Sequence, residues 1–449
     1  MRKSITSRIA IAGVAALALG LGACGSDAGT PDPTGGETTQ AEATEDAEAP
    51  AEPVTLEYMH RLPDGEGMVP VADIVARWNE ENPDIQVTTT KFDGAAHEMI
   101  VKLETDIKAG AGVCLAQVGY GEVPELFVKG LMEDVTAEAA KYRDNFGGAF
   151  GQMTVGGVTV GLPQDSGPLI YIYNEAEFEA LGIEVPTNLE EFAATAATAA
   201  DAGKYIAAFT PDEAHYWLSA QAAAAGASWF SAENDEWVVN ADSAESAIVA
   251  DFWQGLLDNE DVVVTDRWGE GFGLALSDGS LIGHIAAAWE VGFVLDGLDG
   301  TDAEGQWRVA QLPQFGDSEL TGPDGGSGVA VMSGCEYPAQ AMEFNNWFNT
   351  QVDDLASQGL VPAAAEAAEN PEKWTRQFGG QDVMAELVEA NNRLNADFSY
   401  IPGWSSVGPQ MVTAAAAAST GSGQVADVFT VAQSASIQTL KDQGLPVAE

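Results

Sequence analysis

The residues of this chain best suited to chemistry are aromatic side chains placed where a ligand could reach them. The chain has eleven tryptophans. A flat ring can stack on the apolar face of a ligand, while polar groups beside it form hydrogen bonds with the ligand. Trp289 ends an apolar run and Trp404 lies in a predicted loop, so both are candidate ligand contacts. Trp217 lies on a predicted helix beside Tyr216, and there core packing and ligand contact both remain open.

Polar side chains near the ends of predicted strands are the second group of candidates. His60, Arg61 and Asp64 follow the first strand, where a plain surface turn is the alternative. Tyr120 follows the third strand, and Ser327 lies in a glycine-rich turn, where it either donates to a ligand or caps the turn. Ligands of open α/β sheets bind beyond the carboxyl ends of the strands, so these residues are expected near a shared site.

The segment 158–173 combines a polar centre with apolar flanks. Residues 158–160 alternate as in a short strand, and 169–173 form an apolar and aromatic run typical of a buried strand. Between them, Gln164 and Asp165 lie in a stretch whose glycines and prolines predict a loop. The two flanking strands form either a hairpin or a crossing between two lobes. In a crossing, Gln164 and Asp165 face a cleft and are candidate ligand contacts.

Signatures of catalysis are absent from the sequence. It contains no nucleophile elbow, P-loop, zinc-binding HExxH or dinucleotide-binding GxGxxG pattern. The four histidines, at positions 60, 97, 215 and 284, show no spacing typical of a metal site. Acidic pairs are uninformative, because 69 carboxylates produce such pairs by chance. We therefore expect a binding protein without metal or cofactor, and not an enzyme.

The N-terminus has the pattern of an export signal. Basic residues at positions 2, 3 and 8 surround the start of an apolar stretch at 9–20, and Leu21, Gly22 and Ala23 lead to Cys24. This pattern resembles the lipobox of bacterial lipoproteins, in which the chain is cut before the cysteine and lipid is attached to its sulfur. We expect a signal peptide at 1–23 and a lipidated Cys24. A plain signal peptide followed by an incidental cysteine is the alternative.

Residues 24–53 are expected to form a disordered acidic tether. From 25 to 53 the chain has eight acidic residues, no lysine or arginine, and too little apolar surface to fold. Removal of the signal, with its three basic residues and no acidic one, moves the formal net charge from -51 to -54. A surface this acidic excludes electrostatic binding to nucleic acid or to anionic head groups. It fits a protein exposed outside the cell, and adaptation to salt is the alternative explanation.

The predicted body begins at Val54 and alternates strands with helices. Strands are predicted at 54–59, 85–90 and 113–118, each followed by a helix, at 68–79, 95–109 and 123–130. This rhythm predicts a parallel sheet covered by helices, and therefore an α/β fold. The last hundred residues are predicted to be mostly helical.

Several stretches of the body together resemble the extracellular solute-binding proteins of ABC importers, in the carbohydrate-binding group related to maltose-binding protein. Each is weak alone, but they occur in the family's order between about 54 and 365. They are WNEENPDIQV at 78–87, GLMEDVT at 130–136, GLP at 161–163, YN at 173–174, LGI at 181–183, PTNLEEF at 186–192, GGSG at 325–328 and PAQAMEF at 338–344. The chain departs from the family at Val113-Cys114-Leu115, where Pro-Asp is usual.

The resemblance implies a two-lobed periplasmic-binding-protein-like fold of type II, with a hinge and an interlobe ligand cleft. Lobe one would hold 54–158 and 326–352, and lobe two 165–312 and 365–449. The interlobe crossings would then be 159–164, 313–325 and 353–364.

The resemblance also implies partners and residue roles. Trp289 stands where the family places a stacking aromatic. Cys114 and Cys335 would follow or precede strands of the same lobe, which favours a disulfide between them, with two separate buried thiols as the alternative. The ligand would be a mono- or oligosaccharide, and the protein partner an ABC transporter permease. The chain would act as a monomer, held by Cys24 to the outer face of the cytoplasmic membrane.

Two other functions remain compatible with the sequence. The first is a binding protein for a non-sugar solute, although the few cationic residues disfavour phosphate-bearing ligands. The second is a surface lipoprotein for sensing or adhesion that uses the same closing lobes.

Overall fold

A computed structural model of the chain describes residues 53–65, 67–94, 96–146, 148–233, 236–267, 269–395 and 397–448. They belong to one unit of the chain, Glu52–Glu449. The predicted signal peptide, Cys24 and nearly all of the tether lie outside the described residues.

Strands and helices alternate along most of the described chain. In chain order they are β1 (Val54–His60), α1 (Val71–Glu81), β2 (Ile85–Lys91), α2 (Ala96–Lys108), β3 (Leu115–Gly119), α3 (Val123–Val128), α4 (Thr136–Ala139), β4 (Thr154–Val155), β5 (Val158–Thr159), β6 (Gly161–Ser166), β7 (Leu169–Asn174), α5 (Glu175–Leu181), α6 (Leu189–Asp201), β8 (Ala208–Phe209), α7 (Ala214–Ala224), β9 (Phe230–Glu233), β10 (Glu236–Val239), α8 (Ala244–Asp258), β11 (Val263–Val264), α9 (Glu270–Ser277), β12 (Gly283–Ala287), β13 (Trp307–Gln311), β14 (Ser327–Val331), α10 (Pro338–Asn349), α11 (Val352–Ser357), β15 (Val361–Pro362), α12 (Glu372–Gln377), α13 (Val383–Asn392), α14 (Trp404–Ser419) and α15 (Val425–Asp442).

A six-stranded sheet forms lobe one, in the order β15-β6-β14-β3-β1-β2. Strands β1, β2 and β3 are parallel, as the alternation of strands and helices predicts, with Leu56 opposite Val87. Strand β14 runs antiparallel between β3 and β6. Apolar side chains pack on both faces, for example Leu56 and Leu162 on one and Met59 and Val118 on the other. Lobe one is therefore a sheet between two helical layers.

A second sheet forms the centre of lobe two. Strand β7 lies between β12 and β13 and is antiparallel to both. Its side chains alternate between two cores: Leu169 and Tyr171 pack with α6, α7 and α8, whereas Ile170 and Ile172 pack with α12 and α13. All but one of the residues of β7 are buried, because helices cover both faces of the sheet.

The hairpin interpretation of 158–173 is wrong, because β6 and β7 lie in different sheets. The loop prediction for Gln164 and Asp165 is also wrong, since both lie in the fully buried strand β6. The chain crosses between the sheets at three places, 167–168, 312–326 and 363–371. The first and third of these lie later than expected from the sequence.

A disulfide joins Cys114 to Cys335, as expected from the family resemblance. Cys114 precedes β3 and Cys335 follows β14, and these strands are neighbours in the sheet of lobe one. The backbone N–H of Met332 donates to the carbonyl of Cys114 at 2.9 Å, which brings the two cysteines together. The bond therefore ties the two strands at the end of the sheet opposite Gly119 and Ser327.

Candidate ligand-binding cleft

The turn after β3 brings the backbone of lobe one against an aromatic ring of lobe two. A Cβ added to Gly121 would lie 3.2 Å from Cε1 of Tyr216 and 3.3 Å from its hydroxyl. The same added atom would lie 3.5 Å from Cδ2 of Tyr400. A glycine at this position therefore allows the two lobes to approach closely.

Lobe two contributes three aromatic side chains to this region. The rings of Tyr216 and Tyr400 meet edge to face, with centroids 5.7 Å apart. The hydroxyl of Tyr400 donates to the carbonyl of Pro323 at 3.3 Å, and the indole N–H of Trp289 donates to the carbonyl of Asp324 at 2.8 Å. Consecutive residues of the second crossing thus hold both rings. Trp289 and Tyr216 remain partly exposed and can present a ring to a ligand.

A chain of hydrogen bonds runs along the edge of lobe one that faces these rings. The amide oxygen of Gln117 accepts from the backbone N–H of Arg61 at 2.7 Å, and its amide nitrogen donates to the hydroxyl of Ser327 at 3.1 Å. Ser327 in turn donates to the carboxylate of Asp165 through both its hydroxyl and its backbone N–H. Burial raises the pKa of Asp165 to about 6, although the bonds from Ser327 oppose that rise. The structure thus brings the candidate residues Asp165 and Ser327 together, but their hydrogen bonds are made to each other.

Other predicted contacts also have partners within the protein. The amide of Gln164 donates to Asn349 at 3.0 Å. Tyr120 is only 6% exposed, and its hydroxyl donates to the carbonyl of Asp165 at 2.7 Å. A carboxylate oxygen of Asp64 accepts from the backbone N–H of Val71 at 2.9 Å, which anchors its own loop. The structure thus assigns scaffolding contacts to Gln164, Tyr120 and Asp64.

His60 is buried, and burial lowers its pKa to about 4, so its ring is neutral at neutral pH. The buried Nε of Arg61 has no hydrogen-bond partner among the described residues, and the same is true of Nδ1 of His60. The positive charge of Arg61 lowers the pKa of both Asp165 and Tyr216, against the larger opposite effect of burial. Arg61 is therefore a cation placed between the edge of lobe one and the rings of lobe two.

Two of the three tryptophan candidates belong to the core of lobe two. Trp217 is fully buried, and its indole N–H donates to the carbonyl of Ile285 at 2.9 Å. Trp404 is 1% exposed and packs against Trp229 and Tyr400. Trp404 was predicted to lie in a loop, but it is the first residue of α14. Its ring points into the core of lobe two. Both rings are enclosed by protein in the conformation described, and their contact with a ligand stays a prediction.

Glu213 is a functional candidate that sequence reasoning missed. It lies in the short 3-10 helix Pro211–Glu213, and its carboxyl makes no hydrogen bond within the described residues. Burial raises the pKa of Glu213 to about 7, Arg267 opposes this rise, and Asp324 adds to it. Among the described residues, the carboxyl of Glu213 thus interacts electrostatically with Arg267 but accepts no hydrogen bond.

Sequence reasoning also passed over Tyr216, Tyr400 and Gly121. Glu213 and Tyr216 follow the two-residue strand β8, so the rule that pointed to strand ends in lobe one would have found them in lobe two. Tyr400 has no comparable signal, because its ring reaches the cleft through packing against Tyr216 from a distant part of the chain.

Metal and membrane signals are absent from the part of the chain that the structure describes. No group of three or more His, Cys, Asp or Glu side chains there is arranged to hold a metal ion. Among the same residues, no helix is both long and apolar enough to cross a membrane.

Comparisons with known proteins agree with this geometry. A sequence model of the family described as bacterial extracellular solute-binding protein matches residues 65–352. No curated protein matches the chain. Among solved structures, the galacto-N-biose-/lacto-N-biose I-binding protein of the ABC transporter from Bifidobacterium longum is 52% identical, with a TM-score of 0.86, and the match covers 89% of this chain and 100% of that one.

More distant structures share the fold. The ABC transporter associated binding protein from B. animalis subsp. lactis Bl-04 is 21% identical, with a TM-score of 0.74 and coverage of 89% and 100%. The sugar-binding protein MalE from Xanthomonas citri is 15% identical, with a TM-score of 0.70 and coverage of 87% and 98%. The expected two-lobed type II fold is therefore confirmed. The chain belongs to the bacterial extracellular solute-binding proteins, a family of binding proteins and not of enzymes.

Proposed function

We propose that this protein captures a neutral disaccharide, of the class in which galactose is linked to an N-acetylhexosamine, and delivers it to an ABC transporter permease. The observation that carries the proposal is that Tyr216 and Tyr400 lie against Gly121 of lobe one, while Pro323 and Asp324 of the second crossing hold the rings of Tyr400 and Trp289. The 52% identity to a galacto-N-biose-/lacto-N-biose I-binding protein supports this class of sugar.

The cleft offers the chemistry that such a ligand needs. The partly exposed rings of Trp289 and Tyr216 can stack on the C–H faces of two sugar units. Among the described residues no donor reaches the carboxylate of Glu213, which can accept hydrogen bonds from two hydroxyls or from an acetamido N–H. Arg61 can donate to a hydroxyl or to an acetamido carbonyl. Stacking and hydrogen bonding together would thus fix both the position and the orientation of the sugar.

Charge supports the preference for a neutral ligand. The carboxyl groups of Glu213 and Asp165 lie near the cleft, and Asp324 is buried beside it. The Nε of Arg61 has no hydrogen-bond partner among the described residues, whereas Arg267 is paired with two carboxylates. A phosphorylated or sulfated sugar would therefore meet more repulsion than attraction.

Calorimetric titration of the purified protein tests this function. Galacto-N-biose and lacto-N-biose should bind with micromolar or lower dissociation constants, and maltose and galactose 6-phosphate should bind at least roughly 100-fold more weakly. Saturable binding of maltose with no binding of either galactosyl sugar would overturn the proposed sugar class. Absence of binding to any sugar would favour a non-sugar solute.

We also propose that Cys24 carries lipid and that the protein acts as a monomer at the outer face of the cytoplasmic membrane. The signal pattern before Cys24 supports the lipid anchor. Metabolic labelling with a fatty acid should mark the wild type and not Cys24→Ser, and the variant should appear in the medium. Light scattering of the purified protein should give the mass of a single chain, and a dimer mass would contradict the second proposal.

A further inference from the structure

Three charged side chains form a fully buried group behind Trp289. Nη1 of Arg267 lies 2.7 Å from Oδ2 of Asp324, and its Nη2 is paired with a carboxylate oxygen of Glu290. The side chains are 0%, 2% and 0% exposed, respectively. Removing charges from water is costly, and a buried group of this kind is weak evidence for added stability. The contacts of the group with neighbouring segments therefore indicate a role in positioning them.

Each member of the group fixes a part of the structure around Trp289. The carboxylate of Glu290 accepts from the backbone N–H of Ala287 at 2.7 Å, which shapes the turn that carries the tryptophan. The carbonyl of Asp324 accepts from the indole N–H of Trp289. Cζ of Arg267 lies 5.6 Å from the centre of the indole ring, within the range of a cation-π contact. The position of the Trp289 ring is thus fixed by the conformation of its turn, by the hydrogen bond of its indole N–H and by the contact of Arg267 with its face.

The same group is joined to two of the three crossings between the lobes. Asp324 lies in the second crossing, and its backbone N–H donates to the carbonyl of Gly167, in the first crossing, at 2.7 Å. Arg267 therefore contacts the turn of Trp289 through Glu290 and the second crossing through Asp324. The crossings are the segments that bend when lobes of this kind close.

We propose that Arg267 is a positioning residue that holds the ring of Trp289 in the orientation for sugar stacking and ties that orientation to the interlobe crossings. The forked guanidinium serves two carboxylates at once, which a lysine ammonium cannot reproduce in the same geometry. This proposal rests on the proposed function for its binding readout, but the orientation of Trp289 can be measured without any ligand.

A double-mutant cycle with lacto-N-biose tests the link to binding. Arg267→Lys should raise the dissociation constant roughly tenfold in the wild-type background. In the Trp289→Ala background there is no indole to position, so the same substitution should change the constant less than about twofold. Arg308→Lys is the matched control, since Arg308 pairs with Glu175 at 2.7 Å on β13 and should change binding less than about twofold in both backgrounds. Equal effects of Arg267→Lys in the two backgrounds would overturn the proposal.

A ligand-free measurement separates this proposal from the proposed function. In protein labelled with 5-fluorotryptophan, the fluorine resonance of Trp289 is identified by its loss in Trp289→Phe. Arg267→Lys should shift or broaden that resonance more than those of the remaining tryptophans, and Arg308→Lys should not. An unchanged Trp289 resonance would overturn the positioning role, even if sugar binds. If no sugar binds the wild type but the resonance moves as expected, the proposed function fails and the positioning role stands.

The proposal can also be tested if Arg267→Lys does not fold. If Arg267→Lys is unfolded, the neutral triple variant Arg267→Met, Glu290→Gln, Asp324→Asn leaves no unpaired buried charge. It should fold, show the displaced Trp289 resonance and bind lacto-N-biose roughly tenfold more weakly than wild type. A folded triple variant with wild-type resonance and wild-type affinity would overturn the proposal.

Discussion

Substitution of Glu213 by glutamine should change stability and ligand binding in opposite directions. Burial, opposed by the charge of Arg267, raises the pKa of Glu213 in the folded protein from 4.5 to about 7. Ionisation of the carboxyl is therefore harder in the folded protein than in the unfolded chain. Among the described residues no hydrogen-bond donor reaches this carboxyl, and its electrostatic neighbours include Arg267 and Tyr216, so we expect it to accept a hydrogen bond from a ligand.

The sign and the size of the stability effect follow from this difference. Between pH 4.5 and 7 the folded protein keeps a proton that the unfolded chain releases, so the contribution of Glu213 to stability is full below pH 4.5 and is lost as the pH rises through 7. A difference of roughly 2.5 pH units corresponds to roughly 3 kcal/mol, because each unit is about 1.4 kcal/mol. Glutamine stays neutral, so Glu213→Gln should be more stable than wild type by up to roughly 3 kcal/mol at pH 8, but by less than about 1 kcal/mol at pH 5.

Urea denaturation at the two pH values measures this difference, with Glu184→Gln as the control. Glu184 is an exposed glutamate of lobe two, so its substitution should leave the free energy of unfolding nearly unchanged at both pH values. Lacto-N-biose should bind Glu213→Gln at least roughly tenfold more weakly at pH 8, since a hydrogen bond to a charged acceptor is lost. Wild-type affinity should fall as the pH drops below about 7, and the affinity of the variant should not. An equal gain in stability at pH 5 and pH 8, or unchanged affinity at pH 8, would refute the assignment of Glu213.

Three further substitutions test other parts of the structure. Trp289→Ala should weaken lacto-N-biose binding roughly 10- to 100-fold in calorimetry, because a stacking surface is lost, while the melting temperature changes by only a few degrees. Gly121→Val should weaken binding by a comparable factor, because its side chain meets the ring of Tyr216, and equal affinity would show that the lobes do not approach there. Reduction of the disulfide between Cys114 and Cys335 should lower the free energy of unfolding by about 2–4 kcal/mol, and a melting temperature that does not respond to reductant would contradict its structural role.

Local patterns in the sequence were sufficient to predict much of lobe one. Helix α1 buries Val71, Ile74, Val75 and Trp78, which are spaced as one face of a helix. The alternation of strands and helices correctly predicted that β1, β2 and β3 are parallel. These features follow from periodicity over ten to twenty residues, and no distant contact is needed to establish them.

The candidate site was predicted less well, because its chemistry depends on which polar groups find partners inside the protein. Asp165 and Ser327 are polar residues near strand ends, as a ligand site requires, yet they bond to each other across 162 positions of the chain. Trp289 follows an apolar run and Trp404 a predicted loop, so both were candidates. Trp289 is partly exposed beside Asp324, whereas Trp404 is packed in the core of lobe two.

The sequence by itself was sufficient to predict the α/β class, and its family resemblance favoured the pairing of Cys114 with Cys335 without excluding separate thiols. The export signal stays a prediction. Only the tertiary structure showed that Gln164 and Asp165 lie in a buried strand, that Nε of Arg61 has no hydrogen-bond partner among the described residues, and that the ring of Tyr216 is partly exposed. The physical reason is that spacing along the chain specifies which face of an element a side chain occupies. The groups that exclude water from a side chain, or that form its hydrogen bonds, come from remote parts of the chain.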